Sequence, residues 1–149
     1  EAGGPVTITL RTGVVLPLTS SATGLAFAAF YRSPYLKKRL DAEVRATAEA
    51  RKAQPEAVLA ALMEQLEEIR GHGISRASGS VTPGINGFSA PVFDHSGRMV
   101  AAITSLGIIG NFDIDWESPI AQSTREAAAT LSRRLGHGSV DAANAHNLS

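Results

Sequence analysis

Two stretches of the sequence combine small, hydroxyl and apolar residues in the way small-molecule sites do. The first is Thr19-Ser20-Ser21-Ala22-Thr23-Gly24, lying just ahead of the apolar run Leu25-Ala26-Phe27-Ala28-Ala29-Phe30-Tyr31. A helix starting there would present unpaired backbone N–H groups and the positive end of its dipole beside those hydroxyls, which suits an anion such as a carboxylate. The simpler role for the same residues is capping, for which Thr19 or Ser20 is well placed. The second stretch is Gly84-Ile85-Asn86-Gly87-Phe88, together with Thr104-Ser105-Leu106 on a neighbouring strand. Glycines leave room beside a strand, Thr104 can donate a hydrogen bond, and Ile85 or Phe88 can wall an apolar pocket. Ordinary core packing with a satisfied hydroxyl is the plainer alternative. Together the two stretches have the makings of a mostly apolar pocket with a few polar groups. Its candidate residues are Leu18, Ser21, Ala22, Thr23, Ile85, Gly87, Phe88, Thr104 and Leu106.

Bond-breaking chemistry is poorly represented. The histidines are His72, His95, His137 and His146; no pair has the i, i+4 spacing of a helical metal site. Asp94-His95-Ser96 contains three triad residue types. Neighbours in one tight turn cannot pass a proton from nucleophile to base to orienting acid. There is no Gly-x-Ser-x-Gly elbow, phosphate loop or dinucleotide fingerprint. No cysteine is present, which excludes disulfides, thiol nucleophiles and cysteine zinc sites.

Positioning such a pocket requires a core, and 149 residues with 44% hydrophobic content are enough for one domain. Lys plus Arg and Asp plus Glu number 14 each, a neutral balance that argues against a free-standing nucleic-acid or acidic-membrane binder. No apolar run approaches the roughly 20 residues of a membrane span. Glu1-Ala2-Gly3-Gly4-Pro5 carries neither an initiator Met nor a signal peptide, so the chain reads as a segment of something longer. Val6–Leu10 alternates as a strand, and Val14-Val15-Leu16 is a short apolar run stopped by Pro17.

The run Leu18–Tyr31 reads as a helix buried on most sides, with Gly24 marking a close backbone approach. Pro34 opens a second helix carrying Leu36, Leu40 and Val44, whose Lys37-Lys38-Arg39 forms a solvated face. Pro55 opens a third through Arg70, with the stripe Val58, Leu59, Leu62, Leu66 and Ile69 expected to cover a sheet and Gly71 to end it. His72–Ser80 is polar and β-permissive, and Thr82-Pro83-Gly84 is a turn. Phe88–Phe93 and Met99–Leu106 form a hairpin through Asp94-His95-Ser96-Gly97, with Pro91 at an edge or bulge and Gly107–Gly110 as a loop. A last helix follows Pro119, burying Ile120, Ala127, Ala128, Leu131 and Leu135 and ending at Gly136. Residues 1–136 are read as the domain and His137–Ser149 as a disordered tail.

The order of motifs resembles the effector-binding domain of the IclR family of bacterial transcriptional regulators. The resemblance is carried by Gly13–Leu18 followed by Ser21–Ala26, by Glu67–Gly73, by Gly84–Asp94, by Gly97–Ile103 and by Leu131–Gly136. It covers roughly residues 6 to 136. It implies an α/β (α+β), GAF/profilin-like fold, an antiparallel sheet with helices packed on its faces. It further implies a small-molecule effector (an organic or aromatic acid), no catalysis, no cofactor, a cytoplasmic setting and a homo-dimer or tetramer. DNA would be reached only through an N-terminal winged helix-turn-helix that this chain lacks. By the resemblance, the effector contacts fall on Ala22, Thr23, Gly87, Thr104 and Leu106. Leu106 stands where the family has a hydroxyl, Ala77 where it has an acid, and Leu25 where several members have Lys or Arg. These departures imply a more apolar effector than glyoxylate or pyruvate, either an aromatic acid or an uncharged aromatic. The alternatives are an oligomerisation module with a vestigial pocket and, more remotely, a small hydrolase using His72 with Ser75 or Thr104.

Overall fold

The computed structural model describes residues 15–79 and 81–138. Expectations for Val6–Leu10, for Val14 and for the tail from residue 139 onward lie outside the described residues. Residues 15–17 lead without regular structure into α1 (Ala22–Phe30). Its N-cap is Ser21, not Thr19 or Ser20: the Ser21 hydroxyl accepts the Gly24 N–H at 2.8 Å and donates to the Pro17 carbonyl at 2.6 Å. Gly24 is required because a Cβ there would collide with the Pro17 carbonyl oxygen and Leu18 Cα.

Helices α2 (Pro34–Arg51) and α3 (Pro55–His72) each begin at the expected proline. α3 ends two residues later than expected, at His72. Gly73, with φ +70, adopts the left-handed conformation, and Gly71 is the penultimate helical residue. Its apolar stripe packs on helices α1 and α2 more than on the sheet, a correction to the expected role as a sheet cover. Leu25 of α1, Leu40 and Val44 of α2, and Leu62, Leu66 and Ile69 of α3 form this helical core. Full burial of each large side chain contributes about 1.5–3 kcal/mol. Arg70 stitches the layer together by donating Nε–H to the Ala29 carbonyl at 2.8 Å.

The sheet among the described residues has three antiparallel strands in the order β1 (Ser75–Ser78), β2 (Ile85–Phe93), β3 (Met99–Ile108). The hairpin is where the pattern placed it, but each strand is longer. β2 takes in Ile85-Asn86-Gly87, and β3 runs through Gly107 and Ile108. The pairs Ile85↔Ile108 and Asn86↔Gly107 extend the ladder past the hydrophobic signal. Pro91 lies beyond the last β1 pair, Ser75↔Ser89, next to an irregularity at Val92/Phe93, so its missing N–H breaks no bond to β1.

β2 is buried along nearly its whole length because both faces are covered. α1 lies on the face of Gly87, Ser89 and Thr104, between the sheet and the α2–α3 pair. α4 (Pro119–Arg134) lies on the opposite face with Phe88, Ala90 and Val92. Ser105 on β3 donates to Thr124 of α4 at 2.7 Å, since the Thr124 hydroxyl hydrogen is spent on the Ile120 carbonyl. α4 buries Ala121, Thr124, Ala128 and Ser132. Ala127, Leu131 and Leu135 point outward, so the expected stripe is corrected by part of a turn. The helix meets the sheet through small and hydroxyl residues that allow close approach, a signal that an apolar count overlooks. His137, read as the start of a free tail, tilts against the Phe93 ring at 5.2 Å.

Candidate functional site

The start of α1 and the β2–β3 ladder meet across the sheet face that α1 covers only in part. Between them lies a cavity of about 250 Å³ lined by residues 16, 21–23, 77, 81–82, 85–87, 104 and 106. Seven of the nine sequence-selected residues border it: Ser21, Ala22, Thr23, Ile85, Gly87, Thr104 and Leu106. The other two do not. Leu18 packs against the helical core, and its N–H is held by Glu43. Phe88 lies on the far face of the sheet and stacks on Phe112 with ring centroids 5.5 Å apart. Alternation along β2 forces that outcome, because Gly87 and Phe88 are neighbours and must point to opposite faces.

Leu16, Val81 and Thr82 also line the cavity without having been singled out, as do Ala77, which the resemblance placed at the family's acidic position, and Asn86, which lies within the second candidate stretch. The strand register puts both of these beside the cavity floor: Ala77 pairs with Gly87 and Ser78 with Asn86. Nothing local marks Leu16 or Val81 as walls.

No lining residue carries a charge. Ser21, Thr23 and Thr104 form a polar group beside the start of α1. Thr23 Oγ1 and Thr104 Oγ1 are 2.7 Å apart, joining α1 to β3, and Thr104 Oγ1 donates to Ser89 Oγ at 2.9 Å. Ser75 Oγ donates to the Ala22 carbonyl, tying the same end of α1 to β1. The Ala22 and Thr23 N–H groups, first in the helix, have no helical acceptor. Gly87 sets the depth of the floor: a Cβ there would come within 3.0 Å of Leu106 Cδ2 and 3.4 Å of Ala22 Cβ. Apart from Thr82 and Asn86, the remaining lining is aliphatic or glycine.

The turn that carries Leu16 and Ser21 into the cavity wall is anchored from outside. Glu43 of α2 accepts the Leu18 N–H at 2.9 Å, the Thr19 N–H at 3.2 Å and the Thr19 hydroxyl at 3.1 Å. Thr19 thus serves a tether and not the cap.

The remote hydrolytic pairing is not assembled. His72 stacks on the Trp116 ring with centroids 4.2 Å apart, and the Ser75 hydroxyl is spent on Ala22. Arg76 lies over the same indole, 4.1 Å from its centroid. Among the described residues no group of three or more His, Asp or Glu side chains stands close enough to hold a metal ion. No helix among them is long and apolar enough to cross a membrane.

Comparison with known proteins follows the same line. The family described as Bacterial transcriptional regulator IclR C-terminal matches residues 3–133. The crystal structure of Pseudomonas aeruginosa HmgR superposes with a TM-score of 0.73 at 33% identity, covering 93% of this chain and 53% of that one. Thermotoga maritima IclR gives a TM-score of 0.67 at 25% identity, over 92% of this chain and 54% of that one. The Agobacterium tumefaciens repressor BlcR gives 0.62 at 26% identity, over 87% and 51%. This chain therefore spans about half the length of these solved structures. No curated protein matches the sequence. The helices, the antiparallel sheet and the matched residues together place this chain in the IclR family of bacterial transcriptional regulators, as its C-terminal domain.

Proposed function

We propose that this domain binds a small organic acid with an apolar, preferably aromatic, body in the cavity beside the start of α1. Its occupancy would inform a DNA-binding part of the cytoplasmic parent regulator. The observation that carries this reading is an uncharged cavity of about 250 Å³ that sets Ser21, Thr23 and Thr104 beside a helix N-terminus. An apolar cavity of about 150 Å³ holds a benzene molecule, so this one has room for a substituted single ring. The N–H groups of Ala22 and Thr23 and the helix dipole favour a carboxylate at that end. The ring would lie against Leu16, Ile85 and Leu106. A vestigial pocket in a pure oligomerisation module would be plugged by side chains, whereas this cavity is open.

Ligand that binds only the folded state stabilises it by RT ln(1 + [L]/Kd), about 2.7 kcal/mol at a hundredfold excess over Kd. For a chain of this size that amounts to roughly 5–11 °C in Tm. A thermal-shift screen of monocyclic aromatic acids, short aliphatic acids and neutral aromatics should give a concentration-dependent rise for at least one aromatic acid. A flat response throughout would remove the basis for the reading.

A further inference from the structure

The direction of the hydroxyl chain at the cavity's polar end narrows the ligand further, on the reading that this cavity is the effector site. Thr104 has one hydroxyl hydrogen, and the geometry places it on Ser89 Oγ at 2.9 Å. The 2.7 Å bond between Thr23 and Thr104 must then use the hydrogen of Thr23. Thr23, which lines the cavity, is left with oxygen lone pairs and no hydrogen to give. Ser21 is similarly committed, donating to Pro17 and accepting from Gly24. The side-chain hydroxyls of Ser21 and Thr23 therefore offer no donor. The donors at this end of the cavity are the free N–H groups of Ala22 and Thr23 at the start of α1.

A plain carboxylate seated on those N–H groups would set its second oxygen against the lone pairs of Thr23. A ligand with a hydroxyl beside its carboxylate avoids this. The carboxylate takes the N–H groups, and the neighbouring hydroxyl donates to Thr23 Oγ1. The N–H and the hydroxyl oxygen of Thr23 belong to one residue, so the two ligand groups they meet must also be close, as in a 2-hydroxy acid. We infer that the cavity selects a 2-hydroxy carboxylic acid with an apolar body, and that Ser89 enforces the choice by keeping the Thr23 hydroxyl turned away from the ligand. Ser89 is fully buried and does not border the cavity, so it acts as a positioning residue.

The test compares mandelate with phenylacetate, which lacks the hydroxyl, and with O-methylmandelate, whose ether cannot donate. Affinities come from calorimetry on the wild-type chain and on Ser89→Ala. One buried hydrogen bond corresponds to a difference of about tenfold, so wild type should bind mandelate about tenfold more tightly than either analogue. In Ser89→Ala the Thr104 hydrogen turns to Thr23, the Thr23 hydrogen is released toward the cavity, and the three affinities should fall within about threefold of one another. Thr104→Val should collapse the discrimination in the same way, and Thr104→Ser, which keeps the chain of hydroxyls, should preserve it. Equal binding of all three acids by wild type overturns the inference while leaving the effector site standing. Undiminished discrimination in both Ser89→Ala and Thr104→Val overturns the role of the chain. Failure of wild type to bind any of the three also overturns it, and the wider screen above then decides the effector reading separately.

Discussion

Ser21 shows how one side chain can start a helix and shape a cavity together. Its hydroxyl satisfies the Gly24 N–H and anchors the Pro17 carbonyl, so the same atom ends the incoming turn and begins α1. Ser21→Ala should lower stability by about 1 kcal/mol, the ordinary cost of a lost N-cap, read from urea denaturation midpoints. Gly87 works through what it lacks. A methyl group there would meet Leu106 Cδ2 and Ala22 Cβ, and Leu106 is 45% exposed and free to shift. Gly87→Ala should therefore change stability by less than about 1 kcal/mol while weakening any effector found by the screen at least about tenfold, since it raises the cavity floor. Equal losses in stability and affinity would contradict that account. The Ser21 bonds are local, to residues four before and three after it, whereas the Gly87 contacts come from across the fold. The sequence marks both as candidates for a ligand site, but not that Gly87 meets Leu106 and Ala22.

At the scale of elements, the helices and the hairpin are written locally, and their orientation is not. Proline at each of the last three helix starts, Gly73 after α3 and Gly97 in the hairpin turn are conformational signals that act within a few residues. The turn is reinforced by Asp94, whose carboxylate accepts from the Ser96 hydroxyl at 2.6 Å and from the Ser96 and Arg98 N–H groups. These bonds, that of the Ser96 hydroxyl foremost, hold the Asp94 pKa below its ordinary value. The stabilisation is thus present above the ordinary carboxylate range and is lost as pH falls through the lowered pKa. Asp94→Asn should flatten this part of the acid dependence in thermal melts, with little effect near neutrality beyond the loss of the turn bonds. The phase of α4 is the counter-example. Leu131 and the C-cap Leu135 face outward, whereas Ala128 and Ser132 face the sheet and Ile120 is half-buried against its core. Leu131→Glu should alter stability by no more than about 0.5 kcal/mol, as an exposed change does. Ala128→Glu, which buries a charge against β2, should cost more than about 3 kcal/mol or abolish folding. The reverse ranking in denaturation experiments would restore the phase expected from hydrophobicity alone.

On the scale of the whole molecule, α1 is the joint. One side contacts the α2–α3 pair and the other contacts the sheet, and its start borders the cavity. This explains its composition of alanine, glycine and one leucine on the buried sides. Gly24→Ala should cost about 3 kcal/mol or more, because the added methyl meets backbone that cannot move without displacing the cavity wall. Thermal melting with and without a bound acid would show both losses together. Trp116 packs against both hydrophobic cores, so its fluorescence is the natural probe of whether the two layers unfold in one step.

The sequence by itself determined the element order, the hairpin, the burial of α1, the family, and which two stretches carry polar groups suited to a small ligand. Those features depend on chemistry within a few residues, or on an ordered set of motifs, and both are readable along a line. Only the tertiary structure decided that Phe88 turns away from the cavity while Gly87 faces it, that Glu43 takes the Leu18 and Thr19 N–H groups, and that the hydroxyls of Thr23, Thr104 and Ser89 meet in one chain. Each of these depends on partners brought from distant parts of the chain by packing. Side-chain direction and hydrogen-bond commitment are properties of that assembled neighbourhood.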